Sequence, residues 1–257
     1  MRARPDRFSP TVNGWLAVLF LGIFPGAVQA DALIAVAANF ASTARTLEAL
    51  FAEQSGQRVS FSVAATGKLY AQIRAGAPFD VLLAADAERP ARLEQEGLAV
   101  PGSRRTYALG RLGFWVPAAT RPVGADAVSD LPLRHIAIAN PRLAPYGLAA
   151  RETLDSLGVL ERVAGRLVFG QDVGEAFALV ASGAADAGFV ARAQLQSIAT
   201  DRVVWWVPAE LHAPIRQDLV LLQRGANNAA ARAFVEFLAT PAAVAAIRAS
   251  GFDTPSS

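Results

Sequence analysis

Four short segments of this chain share one design: Ala37-Ala38-Asn39-Phe40-Ala41-Ser42, Ala64-Ala65-Thr66-Gly67-Lys68, Ala144-Pro145-Tyr146-Gly147 and Gln171-Asp172-Val173-Gly174. Each places small or hydroxyl-bearing residues where a strand should end and a helix begin. The first turn of a helix carries unpaired N–H groups and a partial positive charge, so an exposed helix start is an anion site. Each start is worth about half an elementary charge, and four converging on one point would supply about two. Such a cluster could hold a small doubly charged oxyanion without any charged side chain.

The surrounding sequence supplies the elements that would position these junctions. Leu33–Ala37 reads as a short apolar strand, followed by a helix with Ala44, Leu47, Leu50 and Phe51 on one face and Ser42 or Thr43 placed to cap it. Val59–Val63 precedes a helix carrying Leu69, Tyr70 and Ile73, which Gly76-Ala77-Pro78 stops. Val81–Ala85 leads through Asp86 into a helix with Pro90 in its first turn. The rhythm then repeats. Ile136–Ala139 precedes a helix with Ala150, Leu154 and Leu157, ended by Gly158. Leu167–Phe169 precedes one with Val173, Ala176, Phe177 and Val180, and Ala187–Val190 is a further strand. Strands alternating with helices predict parallel sheets built from βαβ units, here in two groups of three.

Tyr107–Val116 reads as an extended crossover between the groups, with Val203–Val207 and Asp218–Leu222 as the return. Apolar residues Phe234, Phe237, Leu238, Val244 and Ile247 mark a C-terminal helical stretch, and residues 253–257 read as a frayed tail. Two crossings imply two α/β lobes, residues 31–108 with 215–257 forming one and residues 109–214 the other. Ligands of such folds bind in the cleft at the carboxyl ends of the strands, where all four junctions fall.

Charge and composition narrow the function classes. Arg2, Arg4 and Arg7 precede the uncharged apolar run Trp15–Phe24, and Val28-Gln29-Ala30 supplies small residues at a cleavage site. This reads as an export signal of residues 1–30. The competing reading, a membrane anchor, needs about 20 apolar residues, roughly twice the run present. Cleavage after Ala30 removes three arginines and Asp6, leaving 227 residues with no formal net charge. No basic patch then points to nucleic acid or lipid. Cysteine is absent, which excludes disulfides, thiolate catalysis and zinc–thiolate sites. The two histidines, His135 and His212, are far apart, and no nucleophile elbow, zinc motif or nucleotide-binding loop occurs. An exported binding protein fits better than an enzyme. An interaction domain stays open as a third class.

Over residues 33–252 the chain resembles the periplasmic molybdate-binding proteins of ABC importers, a two-lobed type II solute-binding family. The segment from Ala64 to Ile73, continuing through Ala75–Val81 to Ala84-Ala85-Asp86, carries most of the likeness. Ala38-Asn39, Asn140-Pro141, Pro145-Tyr146-Gly147, Asp172-Val173 and Gly188-Phe189-Val190 follow in the family's order. The resemblance implies an oxyanion held by hydroxyls and backbone amides at Asn39, Thr66, Tyr146 and Val173. Molybdenum enters such a site as molybdate, never as a bare cation, and tungstate fits the same set; no cofactor is implied. Thr66 stands where serine is usual. Ala191 stands where some members place a tyrosine hydroxyl, leaving Tyr146 to supply a phenol from another wall. The resemblance further implies a periplasmic monomer that delivers its ligand to the permease of an inner-membrane ABC transporter.

A donor-only site also reads protonation state. It has no acceptor for the proton of a singly protonated phosphate or arsenate, whereas molybdate, tungstate and sulfate are aprotic dianions at neutral pH. Sulfate therefore remains an alternative ligand on charge alone. Each residue also has a plainer role open to it. Asn39 and Ser42 fit ordinary caps, Thr66 with Gly67 a tight turn, Tyr146 a loop aromatic, and Val173 simple packing. Lys68 reads as a solvated helix-face lysine, and Asp80, Asp86 and Asp172 as loop braces.

Overall fold

The computed structural model describes residues 32–196 and 203–255. The export signal expected at residues 1–30 lies outside the described residues. Among the described residues, ten strands form two sheets. In chain order the strands are β1 (Ala32–Ala37), β2 (Val59–Ala64), β3 (Val81–Leu83), β4 (Arg105–Gly110), β5 (Leu112–Trp115), β6 (Ile136–Ala139), β7 (Leu167–Gly170), β8 (Ala187–Ala191), β9 (Val204–Trp206) and β10 (Ile215–Leu221). The helices are α1 (Ala41–Ser55), α2 (Thr66–Arg74), α3 (Glu88–Gln95), α4 (Ala127–Asp130), α5 (Pro145–Ser156), α6 (Leu160–Val163), α7 (Val173–Ala181), α8 (Ala229–Phe237) and α9 (Pro241–Ala249).

The first sheet has the order β2-β1-β3-β10-β4 and the second β7-β6-β8-β5-β9. Each holds a parallel trio, β2-β1-β3 or β7-β6-β8, extended by antiparallel strands. The expected two groups of three βαβ strands are therefore present, and the fold is the two-lobed α/β architecture. The chain passes between the sheets twice, at Arg111 between β4 and β5, and between β9 and β10.

Helical periodicity in the sequence translates directly into burial. Ala44, Leu47 and Phe51 of α1 are buried, as are Leu69, Tyr70 and Ile73 of α2. Both faces of the first sheet are covered. One side packs Phe51 edge-on against Phe234 of α8, their centroids 5.3 Å apart, and each fully buried phenylalanine contributes about 1.5–3 kcal/mol. Gly56 at φ 67° and Gly158 at φ 67° end α1 and α5 in the left-handed conformation that glycine adopts without strain.

Two local expectations are corrected and one is refined. Neither Ser42 nor Thr43 caps α1: a 3-10 turn at Ala38–Phe40 enters the helix first, so both lie inside its first turn and no side chain caps it. The C-terminal helical stretch is two helices, because Thr240 accepts from the Ala243 amide as a cap and Pro241 starts α9. Finally, Asp253 is not frayed: it exchanges two backbone hydrogen bonds with Leu109 and pairs with Arg111 beside the first crossing.

Candidate functional site

The four junctions meet in the cleft between the sheets. One small cavity is lined by Ala37, Ala38 and Asn39, by Ala65, Thr66 and Ala85, by Ala144, Pro145 and Tyr146, and by Asp172 and Val173. The first two groups stand at the carboxyl ends of β1, β2 and β3, the last two at those of β6 and β7. The structure thus brings together all four residues singled out from the sequence: Asn39, Thr66, Tyr146 and Val173. Each is nearly enclosed, with exposures of 3%, 1%, 2% and 3%. The lobes touch around them. Gly67 donates to the Leu143 carbonyl at 2.9 Å, and Arg89 reaches the Arg142 carbonyl at 3.2 Å.

The backbone amides at these positions are the chemical feature of the site. No side chain caps the 3-10 turn at Ala38, α1, α2 or α5. At α7 Asp172 caps, but it takes the Glu175 amide and not that of Val173. Among the described residues, the amides of Asn39, Thr66, Tyr146 and Val173 donate to no other group. A buried amide without an acceptor costs about 1–3 kcal/mol, so four in one cavity are a cost that only an acceptor-rich ligand removes. Proline at the first position of α5 makes Tyr146 the first residue of that helix with an N–H to offer.

The hydroxyl of Thr66 adds to this set. Its Oγ1 accepts the Ala85 amide at 3.0 Å, which leaves its own proton to donate. Asp172 is the one charged residue lining the cavity, and its carboxylate is already engaged at the start of α7. Asp86 is held by Arg89, Asp80 accepts the Leu33 amide, and Lys68 is exposed on α2. All four therefore have the bracing or solvated roles expected of them. Burial raises the Asp86 carboxyl pKa, with Arg89 pulling it back.

Two residues that sequence reasoning passed over complete the inner wall. Gln217 of β10 is fully buried; its Oε1 accepts Asn39 Nδ2 at 3.0 Å and the Tyr107 hydroxyl at 3.2 Å, and its Nε2 donates to the Tyr146 hydroxyl at 3.4 Å. Burial lifts the phenols of Tyr107 and Tyr146 far above their ordinary range. The signal was present in the sequence: a glutamine and an aspartate running directly into the apolar Leu219–Leu222 are a buried polar pair in need of partners. Ala191 is buried at the end of β8 and is absent from the cavity lining; its amide donates to Gln194, whose Nε2 in turn holds the Val173 carbonyl.

Comparison with known proteins agrees with this geometry. Residues 32–253 match the family described as bacterial extracellular solute-binding protein. The chain is 43% identical over 236 residues to the molybdate-binding protein ModA of Rhodobacter capsulatus, covering 92% of this chain and 93% of that protein. It is 41% identical to the protein of the same name from Azotobacter vinelandii, covering 92% and 96%. The solved Azotobacter vinelandii periplasmic molybdate-binding protein superposes with a TM-score of 0.83 at 39% identity, over 88% of this chain and all of that one. The sulfate-binding protein SubI of Mycobacterium tuberculosis, at 16% identity and a TM-score of 0.72, shares the fold. The chain belongs to the bacterial extracellular solute-binding family, among its molybdate-binding members.

Proposed function

We propose that this protein captures molybdate, and also tungstate, in the cleft between its lobes and delivers it to an ABC importer in the inner membrane. The observation that carries the reading is the set of four enclosed amides, at Asn39, Thr66, Tyr146 and Val173, that have no acceptor among the described residues. With the Thr66 hydroxyl they make a donor set for a tetrahedral oxyanion. Two junctions come from each lobe, residues 31–108 with 215–257 on one side and 109–214 on the other. An anion therefore meets its full donor set only with the cleft shut, and ligand shifts the population towards that form.

The carrier role follows from the same reading. The 1–30 segment directs the chain to the periplasm, where a monomer with no catalytic constellation passes its ligand to a permease that recognises the closed form. Sulfate carries the same charge and is smaller, so cavity size is what would reject it; phosphate would bury a proton with no acceptor. Calorimetric titration with molybdate, tungstate, sulfate and phosphate tests the reading. Tight binding of the first two and much weaker binding of the others is expected. Sulfate binding as tight as molybdate would overturn the specificity.

A further inference from the structure

We infer that Gln217 is a positioning residue that sets the separation of the two lobe walls, and through it the size of anion accepted. The inference rests on the oxyanion reading above. Gln217 belongs to β10, the strand that re-enters the first sheet after the second crossing, and its side chain spans the lobes. On one side Oε1 holds the Asn39 side chain at 3.0 Å; on the other Nε2 holds the Tyr146 hydroxyl at 3.4 Å. Asn39 and Tyr146 offer two of the four free amides, one from each lobe. The side chains of Asn39 and Tyr146 also meet directly, and Gln217, bonded to both, fixes how closely their amides approach an ion.

Gln217 is itself held on three sides. In the β4–β10 register Gln217 faces Ala108 and Asp218 faces Thr106, so Tyr107 is the extra residue of a β-bulge. Bulges re-aim side chains, and this one lets the Tyr107 hydroxyl reach both Gln217 Oε1 and the Ala84 carbonyl, each at 3.2 Å. The next residue, Asp218, is fully buried and tied to Arg104 at 2.7 Å and Thr106 at 2.6 Å, which locks the strand pair beside the bulge. Gly110, the last residue of β4, closes the third side. A Cβ there would lie 2.3 Å from the Tyr146 oxygen and 3.0 Å from Gln217 Nε2. The strands flanking both crossings therefore clasp the same phenol.

A residue that only stabilised the fold would weaken all anions in parallel when replaced. A spacer changes their ranking. The test is competition between molybdate and sulfate on the full-length exported protein, wild type beside Gln217→Leu, Gln217→Met and Gly110→Ala. The melting temperature of each ligand-free variant is measured alongside. Gln217→Leu should reduce the molybdate-to-sulfate affinity ratio about tenfold or more, by the loss of the two amide hydrogen bonds that tie Asn39 and Tyr146 at a fixed separation. Gln217→Met serves the same comparison if the leucine variant does not fold. Gly110→Ala, which keeps the glutamine but displaces the phenol, should move the ratio in the same direction. Folded variants with a wild-type ratio would overturn the inference. Wild-type protein that binds neither anion would instead overturn the oxyanion reading, so the two failures are distinguishable.

Discussion

Gly67 donates its backbone amide to the carbonyl oxygen of Leu143 at 2.9 Å, a hydrogen bond from the first turn of α2 in one lobe to the loop before α5 in the other. Only glycine permits this approach. A Cβ on Gly67 would meet that oxygen at 2.9 Å and the Leu143 Cα at 3.2 Å, both backbone atoms of the opposite lobe. The contact therefore reports how tightly the lobes close.

Gly67→Ala should oppose closure without harming either lobe. Alanine is the better helix former by about 1 kcal/mol, so ligand-free stability should be unchanged or raised. Molybdate affinity should fall about tenfold, because the donors of the two lobes no longer converge fully. Small-angle scattering should record a drop in radius of gyration for wild type on adding molybdate and a smaller drop for the variant. An unaltered affinity would mean that the Gly67–Leu143 approach is incidental to binding.

Thr66 has two hydrogen-bonding tasks, and substitutions separate them. Thr66→Ser keeps both and should bind as wild type. Thr66→Val removes the donor to the anion, a bond to a charged group worth about 1.5–3 kcal/mol, so affinity should fall about ten- to a hundredfold. It also strips the acceptor from the buried Ala85 amide, so the ligand-free protein should lose about 1–3 kcal/mol of stability. Titration and denaturant unfolding of the same samples check both. Affinity equal to wild type would reduce Thr66 to a turn residue.

How much of this was legible beforehand divides along physical lines. Strand–helix alternation is written in local hydrophobic period, so β1 to β3, β6 to β8 and their helices could be read directly. The four junctions followed, because helix starts announce themselves by small residues and by Pro145. What escaped depended on long-range register. Gln217 and Tyr107 are 110 residues apart, and only the pairing of β4 with β10, with its bulge, brings them together. The cap expected from Ser42 failed for a related reason: a 3-10 turn precedes α1 and ends on the buried Phe40, whose ring packs against Tyr107 at 4.9 Å between centroids, a contact no local pattern encodes. Asp253 likewise finds Leu109 only in the folded chain.

Export should leave Asp31 as the first residue of the mature protein. Intact-mass measurement of material from the periplasmic fraction checks this, and a mass that retains residues 1–30 would favour the anchor.

Alkaline pH should destabilise the fold through the inner wall while leaving ligand affinity flat near neutrality. Burial holds the phenols of Tyr107 and Tyr146 well above the ordinary value of about 10. A raised pKa means that the folded state keeps a proton which the unfolded chain releases. Below about pH 10 both states carry neutral phenols and the contribution is intact; above it, stability is lost progressively as the unfolded chain ionises. Denaturant unfolding at about pH 8.5 and 10.5 should show the loss, and Tyr146→Phe should narrow the difference between the two. Binding behaves differently. The donors are backbone amides and the Thr66 hydroxyl, none of which titrates near neutrality, so molybdate affinity should stay constant between about pH 6.5 and 9. A sigmoidal change in affinity within that window would mean that an ionising side chain touches the anion, and the uncharged donor set would have to be abandoned.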